Sequence, residues 1–524
     1  MNFKRNVVVF IIMICIFFSI SCVVAGDVND VNMTTFENQE MDNLDEDVIA
    51  NSQEDLISLE DNGKEGVNNA LAVSKSKGTF TELQKLINEA PIGSTINLEK
   101  DYYYDEGFNK GIGVVILKNV TINGNGHTLD GMSKSRIFFV MFGLFDNKVT
   151  LNNIVFKNGH TSLYGGAIFS FVDLTVTKCT FKNNFAKTTA GAIASVGSLN
   201  CKKCVFNNNK ATGDAGAILS VNMKLSSSFF NNFFKISSHD DPRSIINTAA
   251  GLGSLIYALM NDVSLKPGTD TISGCKFYNN RATGRGGGAV YSFGHINIIS
   301  SKFKSNKVGE LGGAVYAAKN LYLKDSKFHD NRAGKYGGAV YFKYHEITGS
   351  YDSQGNWKSG VKFYSSTIEK CTFAQNIAKE RGGAIYGFKY SEKPKLLAVK
   401  PVKCAFSDNL APKGNEVYGG VLKNCVVKHT VLTLKNAKVK KSAKKLVLQV
   451  TLKKGSAALK SKKITFKFNG KKYSAKTNSK GIAKVSISSK VLQKLKVGKE
   501  VKYGASYDAG FTVFKKLKTA KVYR

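Results

Sequence analysis

The sequence predicts an all-β protein in which a parallel β-helix is followed by a small β-sandwich. The phrase Gly-Gly-Ala returns at a 25-residue interval, and apolar residues alternate with polar ones between its copies. From residue 428 onward the phrase is absent and the composition becomes strongly basic. With 524 residues, 49 Gly, only 6 Pro and no long helical period, the chain has room for such an arrangement.

The first residues are typical of an export signal. Lys4 and Arg5 precede an apolar run over residues 7–24, and cleavage after Ala25 or Gly26 fits the small residues there. We therefore predict a signal peptide at residues 1–26 and secretion to the cell surface or cell wall. The apolar run is near the lower length limit for a bilayer span, so a retained anchor is the alternative. No second run follows, which predicts no membrane span once the signal is removed.

Charge is distributed unevenly along the chain. Residues 1–66 carry a net charge of −10 and residues 423–524 a net charge of +27. We interpret residues 27–76 as an acidic, disordered spacer, since they hold too few apolar residues to form a core. The basic end favours an anionic partner, and the candidates are nucleic acid, an anionic membrane and an anionic wall polymer. Because an export signal argues against nucleic acid, we expect an anionic wall polymer. A solvated surface that binds nothing is the alternative.

The repeat extends over residues 77–427, where we predict the β-helix with a cap at its N-terminal end. Within one repeat, Leu174 and Val176 alternate, and after a three-residue step Cys179 and Phe181 resume the alternation. Period-two alternation indicates strands, so with Gly-Gly-Ala each repeat should hold three short strands. One such unit cannot cover its own apolar face, whereas stacked units do. Copies of the Gly-Gly-Ala phrase begin at Tyr164, Ala190, Ala215, Gly287, Gly312, Gly337 and Gly382, and degenerate copies begin at Gly253 and Gly414.

Three kinds of residue recur at fixed positions in the repeat. Gly-Gly is expected to turn a corner where a side chain would collide or φ is positive. A Phe should stack into an internal column, and an Asn three residues later tolerates a left-handed turn and can form an amide ladder. The Phe residues are Phe181, Phe206, Phe277, Phe303, Phe328, Phe373 and Phe406, and the Asn residues are Asn184, Asn209, Asn280, Asn306, Asn331, Asn376 and Asn409.

The cysteines of the repeats share one position, two residues before the Phe or its equivalent Val427. They are Cys179, Cys204, Cys275, Cys371, Cys404 and Cys425, and Ser301 and Ser326 take the same position elsewhere. This pattern favours small side chains packed in the core. Cys201 and Cys204 form a lone Cys-x-x-Cys, so a metal site or disulfides between coils are the alternatives. We predict no metal and no cofactor.

The Gly-Gly-Ala and Phe-x-x-Asn phrases resemble the polymorphic-membrane-protein repeats of bacterial autotransporters and the right-handed β-helix regions of methanogen (archaeal) adhesin-like proteins. Residues 121–131, TINGNGHTLDG, resemble an opening coil of pectin-lyase-like β-helices. Residues 78–90 have helical spacing, with Thr79 and Thr81 as candidate N-caps, and a short helix at the open end fits that family.

In the basic end, apolar and polar residues alternate over residues 446–452 and 464–477, which predicts strands. Asn469-Gly470 is a strong hairpin signal. Residues 477–487 resemble a segment of Ig-like repeats in bacterial and archaeal surface proteins. That resemblance implies an Ig-like β-sandwich over residues 428–524.

Catalysis requires carboxylates that converge on one cleft. The acids of the repeats fall at different positions of the repeat, and the histidines show no metal spacing. These acids are Asp173, Asp214, Glu310, Asp325, Asp330, Glu369 and Glu380. Asp240 and Asp241 resemble the double-Asp element of β-helix hydrolases, but the companion Gly-His-Gly is missing. We therefore predict no catalytic residues and no enzyme.

Tyrosines follow Gly-Gly-Ala at equal positions in four copies. They are Tyr291, Tyr316, Tyr341 and Tyr386. If they point outward they form an aromatic stripe suited to sugars, and if they point inward they belong to the core. The preferred interpretation is core.

The sequence thus favours a secreted, adhesin-like protein of the cell surface. It would bind polysaccharide or surface protein along the rod and be held on an anionic wall by its basic domain. A β-helix polysaccharide lyase or glycoside hydrolase is one alternative, and a purely structural envelope protein is another.

Overall fold

A computed structural model describes residues 77–109, 111–141, 148–222, 268–351, 354, 357–388, 399–510 and 512–524. The predicted signal peptide, the acidic spacer, the degenerate copy at Gly253 and the Asp240–Asp241 pair lie outside these residues.

Within the described residues the repeats wind into a right-handed parallel β-helix, as predicted. Each complete coil passes through four parallel sheets, here numbered 1 to 4 in chain order. Sheet 1 contains Thr95–Asn97, Val120–Asn123, Lys148–Asn152, Asp173–Thr177, Leu199–Lys202, Thr269–Ser273, His295–Ile299, Leu321–Lys324 and Ser366–Glu369. Sheet 2 contains Gly78–Thr79, Tyr102–Tyr103, Thr128–Asp130, Val155–Lys157, Thr180–Lys182, Val205–Asn207, Lys276–Tyr278, Lys302–Lys304, Lys327–His329, Thr372–Ala374, Ala405–Ser407 and Val426–Lys428.

The other two sheets complete the coil. Sheet 3 contains His160–Thr161, Phe185–Ala186, Lys210–Ala211, Arg281–Ala282, Lys307–Val308, Arg332–Ala333 and Ile377–Ala378. Sheet 4 contains Val114–Ile116, Phe138–Val140, Ile168–Ser170, Ile193–Ser195, Ile218–Ser220, Val290–Ser292, Val315–Ala317, Val340–Phe342, Ile385–Gly387 and Val417–Tyr418. The expectation of three strands per coil was wrong by one. The strands of sheet 3 have two residues each, too few to show alternation.

Two columns fill the interior as the sequence predicts. The rings of Phe181 and Phe206 are stacked with centroids 4.7 Å apart, and the column continues to Phe406. Beside it, the side-chain amide of Asn306 donates to the Oδ1 atom of Asn331 at 2.9 Å, and every rung from Asn184 to Asn409 repeats this bond. Because these amides are buried, the ladder satisfies polar groups that would otherwise be costly inside the coil.

The ladder Asn residues do not themselves adopt the left-handed conformation, which corrects one expectation. The positive φ falls on the residue before each of them, as at Asn208 (φ 56°) and Asp330 (φ 52°). The side chain of the ladder Asn thereby points into the core, and the residue directly before it supplies the bend.

The two glycines of the repeat have different roles. Gly312 has φ 67°, and Ala190 and Ala215 take the same position with φ 64° and 56°. At the second glycine, a Cβ atom on Gly313 would lie 2.0 Å from the carbonyl oxygen of Gly338 in the next coil. A Cβ atom on Gly312 would lie 2.2 Å from the carbonyl oxygen of Val315, so the first position is also tight. Ala190 and Ala215 nevertheless occupy it, so a small local shift of the backbone admits a methyl group there.

A helix, Phe80–Glu89, covers the N-terminal end of the coil. Thr79 is its N-cap and accepts a hydrogen bond from the backbone N–H of Glu82. Its apolar face is buried against the first coil, where the Phe80 ring meets that of Tyr104.

After the last coil the chain forms two antiparallel-rich sheets around a separate apolar core. Sheet 5 contains Thr430–Leu434, Lys445–Lys454, Ala457–Ala458 and Ile482–Ser488, and sheet 6 contains Val439–Lys440, Lys463–Phe468, Lys471–Lys476, Glu500–Asp508 and Val513–Tyr523. A short helix spans Ser489–Leu492. Asn469 and Gly470, both with positive φ, form the two-residue turn of a hairpin. The Ig-like assignment remains a prediction.

Candidate functional site

The corner between sheet 4 and the following sheet 1 carries all the long insertions of the described coils. In an uninterrupted coil two residues separate Ser170 from Asp173. The chain departs from this pattern over residues 142–147, 223–267, 343–365 and 389–398, each directly after a sheet 4 strand. The four interruptions of the repeat therefore begin at the same corner of the coil.

The third insertion is a β-hairpin of His345–Tyr351 and Trp357–Phe363. Aromatic side chains anchor its base. The ring of Tyr344 lies 5.5 Å from that of Phe363, and His345 lies 5.0 Å from Phe388 of the next coil. This packing fixes the hairpin against the corner of the rod.

A buried carboxylate holds the base of the longest insertion. Asp270 occupies an inward position of sheet 1, where neighbouring coils have Leu199 and Ile296. Its Oδ1 atom accepts from the backbone N–H of Leu199 at 2.9 Å and from the amide of Asn222 at 2.7 Å, and Ser220 donates to Oδ2. Burial raises the pKa of Asp270 to about 7. The residues on both sides of insertion 223–267 thus meet at one carboxyl group.

A shallow polar cavity opens on the outer face of sheet 1 beside this corner. Its volume is ≈ 260 Å³. The lining residues are Thr269, His295, Asn297, Asn320, Leu321, Tyr322, Ser365 and Thr367. Asn297, Tyr322 and Thr367 stand in register on successive strands, so three coils contribute equivalent positions. Hydroxyls, amides and one phenol ring on a single face are groups that can hydrogen-bond to a sugar.

Two lysines lie near His295 at the edge of this cavity. The Lys319 and Lys362 ammonium groups lie 5.9 and 5.8 Å from the ring centroid of Tyr364, and Lys319 is 3.8 Å from Glu346. Burial, then Lys319 and Lys362, lower the pKa of His295. The Nδ1 atom of His295 accepts from the backbone N–H of Asn320 at 3.2 Å, which requires Nδ1 to carry no proton. His295 is therefore a neutral donor and acceptor beside two lysines.

The tyrosines of the repeat point outward from the coil and yet are buried. Phe138 faces the interior, because its ring meets that of core residue Phe156 at 5.6 Å. The next residue in the strand, Phe139, is in register with the Tyr column on the opposite face. Tyr291, Tyr316, Tyr341 and Tyr386 are nevertheless only 5–8% exposed, and their rings stack on one another at 4.3–5.2 Å. They belong to the same buried apolar cluster as the residues inside the coil and do not form an open platform.

The seven cysteines of the described residues are free thiols, and only Cys425 is more than slightly exposed. Burial raises the pKa of Cys179 to about 12, so its thiolate is disfavoured. Among the described residues no group of three His, Cys, Asp or Glu side chains is placed to hold a metal ion.

The acids named from the sequence do not converge. Glu310 pairs with Lys335 at 2.9 Å, Asp330 pairs with Arg332 at 3.1 Å, and Asp214 is half-buried and accepts from the backbone N–H of Gly286. Burial raises the pKa of Asp214.

Sequence reasoning did not find the cavity on sheet 1. The signal was available, since Asn297, Tyr322 and Thr367 share one phase of the repeat.

Comparison with known families agrees with this architecture. Residues 261–409 match a family described as a right-handed β-helix region, and residues 203–221 match the Chlamydia polymorphic membrane protein repeat. These repeats suit a surface-exposed protein of the autotransporter or adhesin-like kind, although β-helix folds also occur in lyases. Comparison with curated proteins gives no match. Over the described residues, no helix is both long and apolar enough to cross a bilayer.

Proposed function

We propose that this chain is a secreted, non-catalytic, adhesin-like protein that binds a glycan or a surface protein at the insertion-bearing corner of its rod. The supporting observation is that four insertions share one corner. In repeat proteins, insertions that collect on one face often mark the binding face, because a rigid scaffold aligns them. The polar cavity with Tyr322 and His295 lies beside this corner.

The test is a glycan array probed with the purified full chain and two variants. Tyr322→Ala removes the aromatic ring of the cavity, while Thr175→Ala alters the same outward column of sheet 1 several coils away. We expect Tyr322→Ala to weaken the binding of glycans and Thr175→Ala to leave it unchanged. Equal effects of the two variants would exclude the cavity.

Two other outcomes correspond to the alternatives. Turnover of uronate-rich or neutral glycans that is lost in Asp240→Asn and Asp241→Asn would make the protein a carbohydrate-active enzyme. Silence on the array, together with even decoration of the cell surface, would make it a structural envelope protein.

The basic C-terminal domain is proposed to hold the protein on an anionic wall polymer. Directly opposed lysines mark its sheet 6, where Lys463 faces Lys476 and Lys467 faces Lys472. Like charges in such pairs are unfavourable without a counter-ion, and an anionic polymer would supply one. Changing these four lysines to Gln should weaken binding to isolated cell walls, and added salt should weaken it likewise. Wall binding that ignores both changes would remove the anchoring role.

A further inference from the structure

Sheet 3 presents a column of cations along the rod. Lys210, Arg281, Lys307 and Arg332 are in register on four successive coils, and each is exposed while the next residue points inward. Neighbouring strands of a sheet lie about 4.8 Å apart. The four residues therefore form a straight row of positive charge, which we call the sheet 3 ladder.

Three of these charges have no acidic partner within the described part of the chain. Arg332 pairs with Asp330, but no described carboxylate lies within ion-pair distance of the other three. Burial, then Arg281 and Arg332, lower the pKa of Lys307, as expected for a cation set among cations. Like charges facing each other across adjacent strands destabilise a sheet.

A neighbouring column shows that the repeat can balance such charges. Arg285, Glu310, Lys335 and Glu380 succeed one another at one corner position and alternate in sign. Glu310 lies 4.0 Å from Arg285 and 2.9 Å from Lys335. The same coils thus neutralise the column at the corner, whereas Lys210, Arg281 and Lys307 of the sheet 3 ladder have no described acidic partner.

A second row runs parallel to the first on the adjoining sheet 2. Lys276, Lys302 and Lys327 are in register on three of the same coils, also without a described acidic partner. Two cationic rows on adjoining faces make one elongated basic surface, directed along the rod axis.

We propose that the sheet 3 ladder binds a linear polysaccharide that carries a carboxylate on successive sugars. The match is one of charge and of repeat, since successive sugars of an extended chain recur on the same length scale as successive strands. A single straight row suits one polymer chain better than the broad plane of a bilayer. Duplex DNA would present two phosphate strands that wind away from such a row. The inference rests on the proposed glycan-binding function and names the class of glycan and its site.

The experiment measures binding of polygalacturonate to the full chain. All proteins carry Gln at the four sheet 6 lysines, which reduces binding by the C-terminal domain, and what remains of that binding is the same in every protein compared. Into this background we introduce Arg281→Gln with Lys307→Gln, and as a matched control Lys202→Gln with Lys203→Gln. The control residues are exposed, lie in the same coil as Lys210, and remove the same charge from a different face. The neutral probe is the fully methyl-esterified polymer of equal length.

We expect the ladder variant to bind polygalacturonate about tenfold more weakly, from two lost ion pairs. The slope of log Kd against log salt should fall by about one to two. The control variant should bind polygalacturonate with the affinity and salt slope of the background protein. The esterified polymer should bind the ladder variant and the background protein alike. Equal losses in ladder and control variants, or equal binding of the esterified polymer, would overturn the inference. Equal binding of a DNA duplex or of a phosphodiester polymer through the ladder would overturn the carboxylated class.

These results separate the two proposals. If the array detects glycans but the ladder variant binds all of them normally, the ladder assignment fails while glycan binding stands. If no glycan binds at all, both fail.

Discussion

The carboxylate of Asp408 lies 2.9 Å from the ammonium group of Lys454, and this pair joins the last coils of the rod to the C-terminal sandwich. The backbone N–H and the hydroxyl group of Thr430 donate to the same carboxylate. A second pair, Glu416 with His429 at 3.2 Å, lies at the same junction. A charge that is almost completely buried thus has its partners in the other domain.

Asp408→Asn is expected to loosen this junction. The amide retains an acceptor for Thr430 but removes the ion pair with Lys454, at a cost of about 1–2 kcal/mol. Mass-spectrometric mapping of limited trypsin digestion should show faster cleavage after the exposed Lys428. Asp330→Asn is the control, since it alters the same corner position in another coil. Unchanged cleavage in Asp408→Asn would mean that apolar contacts alone hold the junction.

Much of the rod could be predicted because its interior repeats. Stacking requires like residues at like positions, so the Phe, Asn and Cys columns appear directly in the sequence. The sheet 3 strand was missed because two residues show no period. Burial of Tyr316 in the core agrees with the preferred interpretation, whereas its direction stayed open because the bend at Gly312 hides the phase of the strand that follows it.

Asn306→Ala should strongly destabilise the rod. Asn306 is fully buried, its amide donates to Asn331 and to the carbonyl oxygen of Phe277, and its Oδ1 atom accepts from Asn280. Removing it leaves several buried groups unpaired, at about 1–3 kcal/mol each. Urea unfolding is the measurement, with Asn207→Ala on the outer face of sheet 2 as the control. Similar losses of unfolding free energy in both variants would mean that the buried asparagine ladder stabilises the rod no more than an Asn on its surface does.

The two glycines of one copy should respond differently to alanine. Gly312→Ala is expected to be the milder change, at about 1 kcal/mol or somewhat more, because Ala190 and Ala215 already occupy that position with positive φ, although the backbone must shift to move Cβ away from the oxygen of Val315. Gly313→Ala should prevent correct stacking, since its Cβ would clash with a backbone oxygen of the next coil. Soluble yield and Tm of the two variants test this. A Gly313→Ala protein as stable as Gly312→Ala would show that the coils can separate to admit a methyl group.

The candidate site was less predictable than the rod, for a physical reason. Asn297, Tyr322 and Thr367 of the cavity share one phase of the repeat, but Ser365 at its edge belongs to an insertion, and an insertion interrupts the period from which the other positions were read. Asp270 illustrates the same limit. Its column elsewhere is aliphatic, and only the neighbouring insertion explains a carboxyl group there.

Asp270 should make stability fall as pH rises through the neutral range. The folded chain keeps the proton up to a pKa of about 7, whereas an unfolded Asp releases it near 3.9. Between these values the folded state binds more protons, so raising the pH lowers the free energy of unfolding, by roughly 4 kcal/mol at most. Above pH 7 this contribution no longer changes.

Asp270→Asn removes the titration and keeps a polar partner for Leu199, Ser220 and Asn222. The variant should therefore gain Tm relative to the natural chain at pH 8 and lose that advantage at pH 5. Other groups titrate in both proteins, so the difference between them isolates Asp270. Asp325→Asn, at an exposed corner, serves as the control. If the two Tm curves for the natural chain and Asp270→Asn run parallel from pH 5 to pH 8, Asp270 is ionised throughout, and the base of insertion 223–267 is held by a charge instead of a proton.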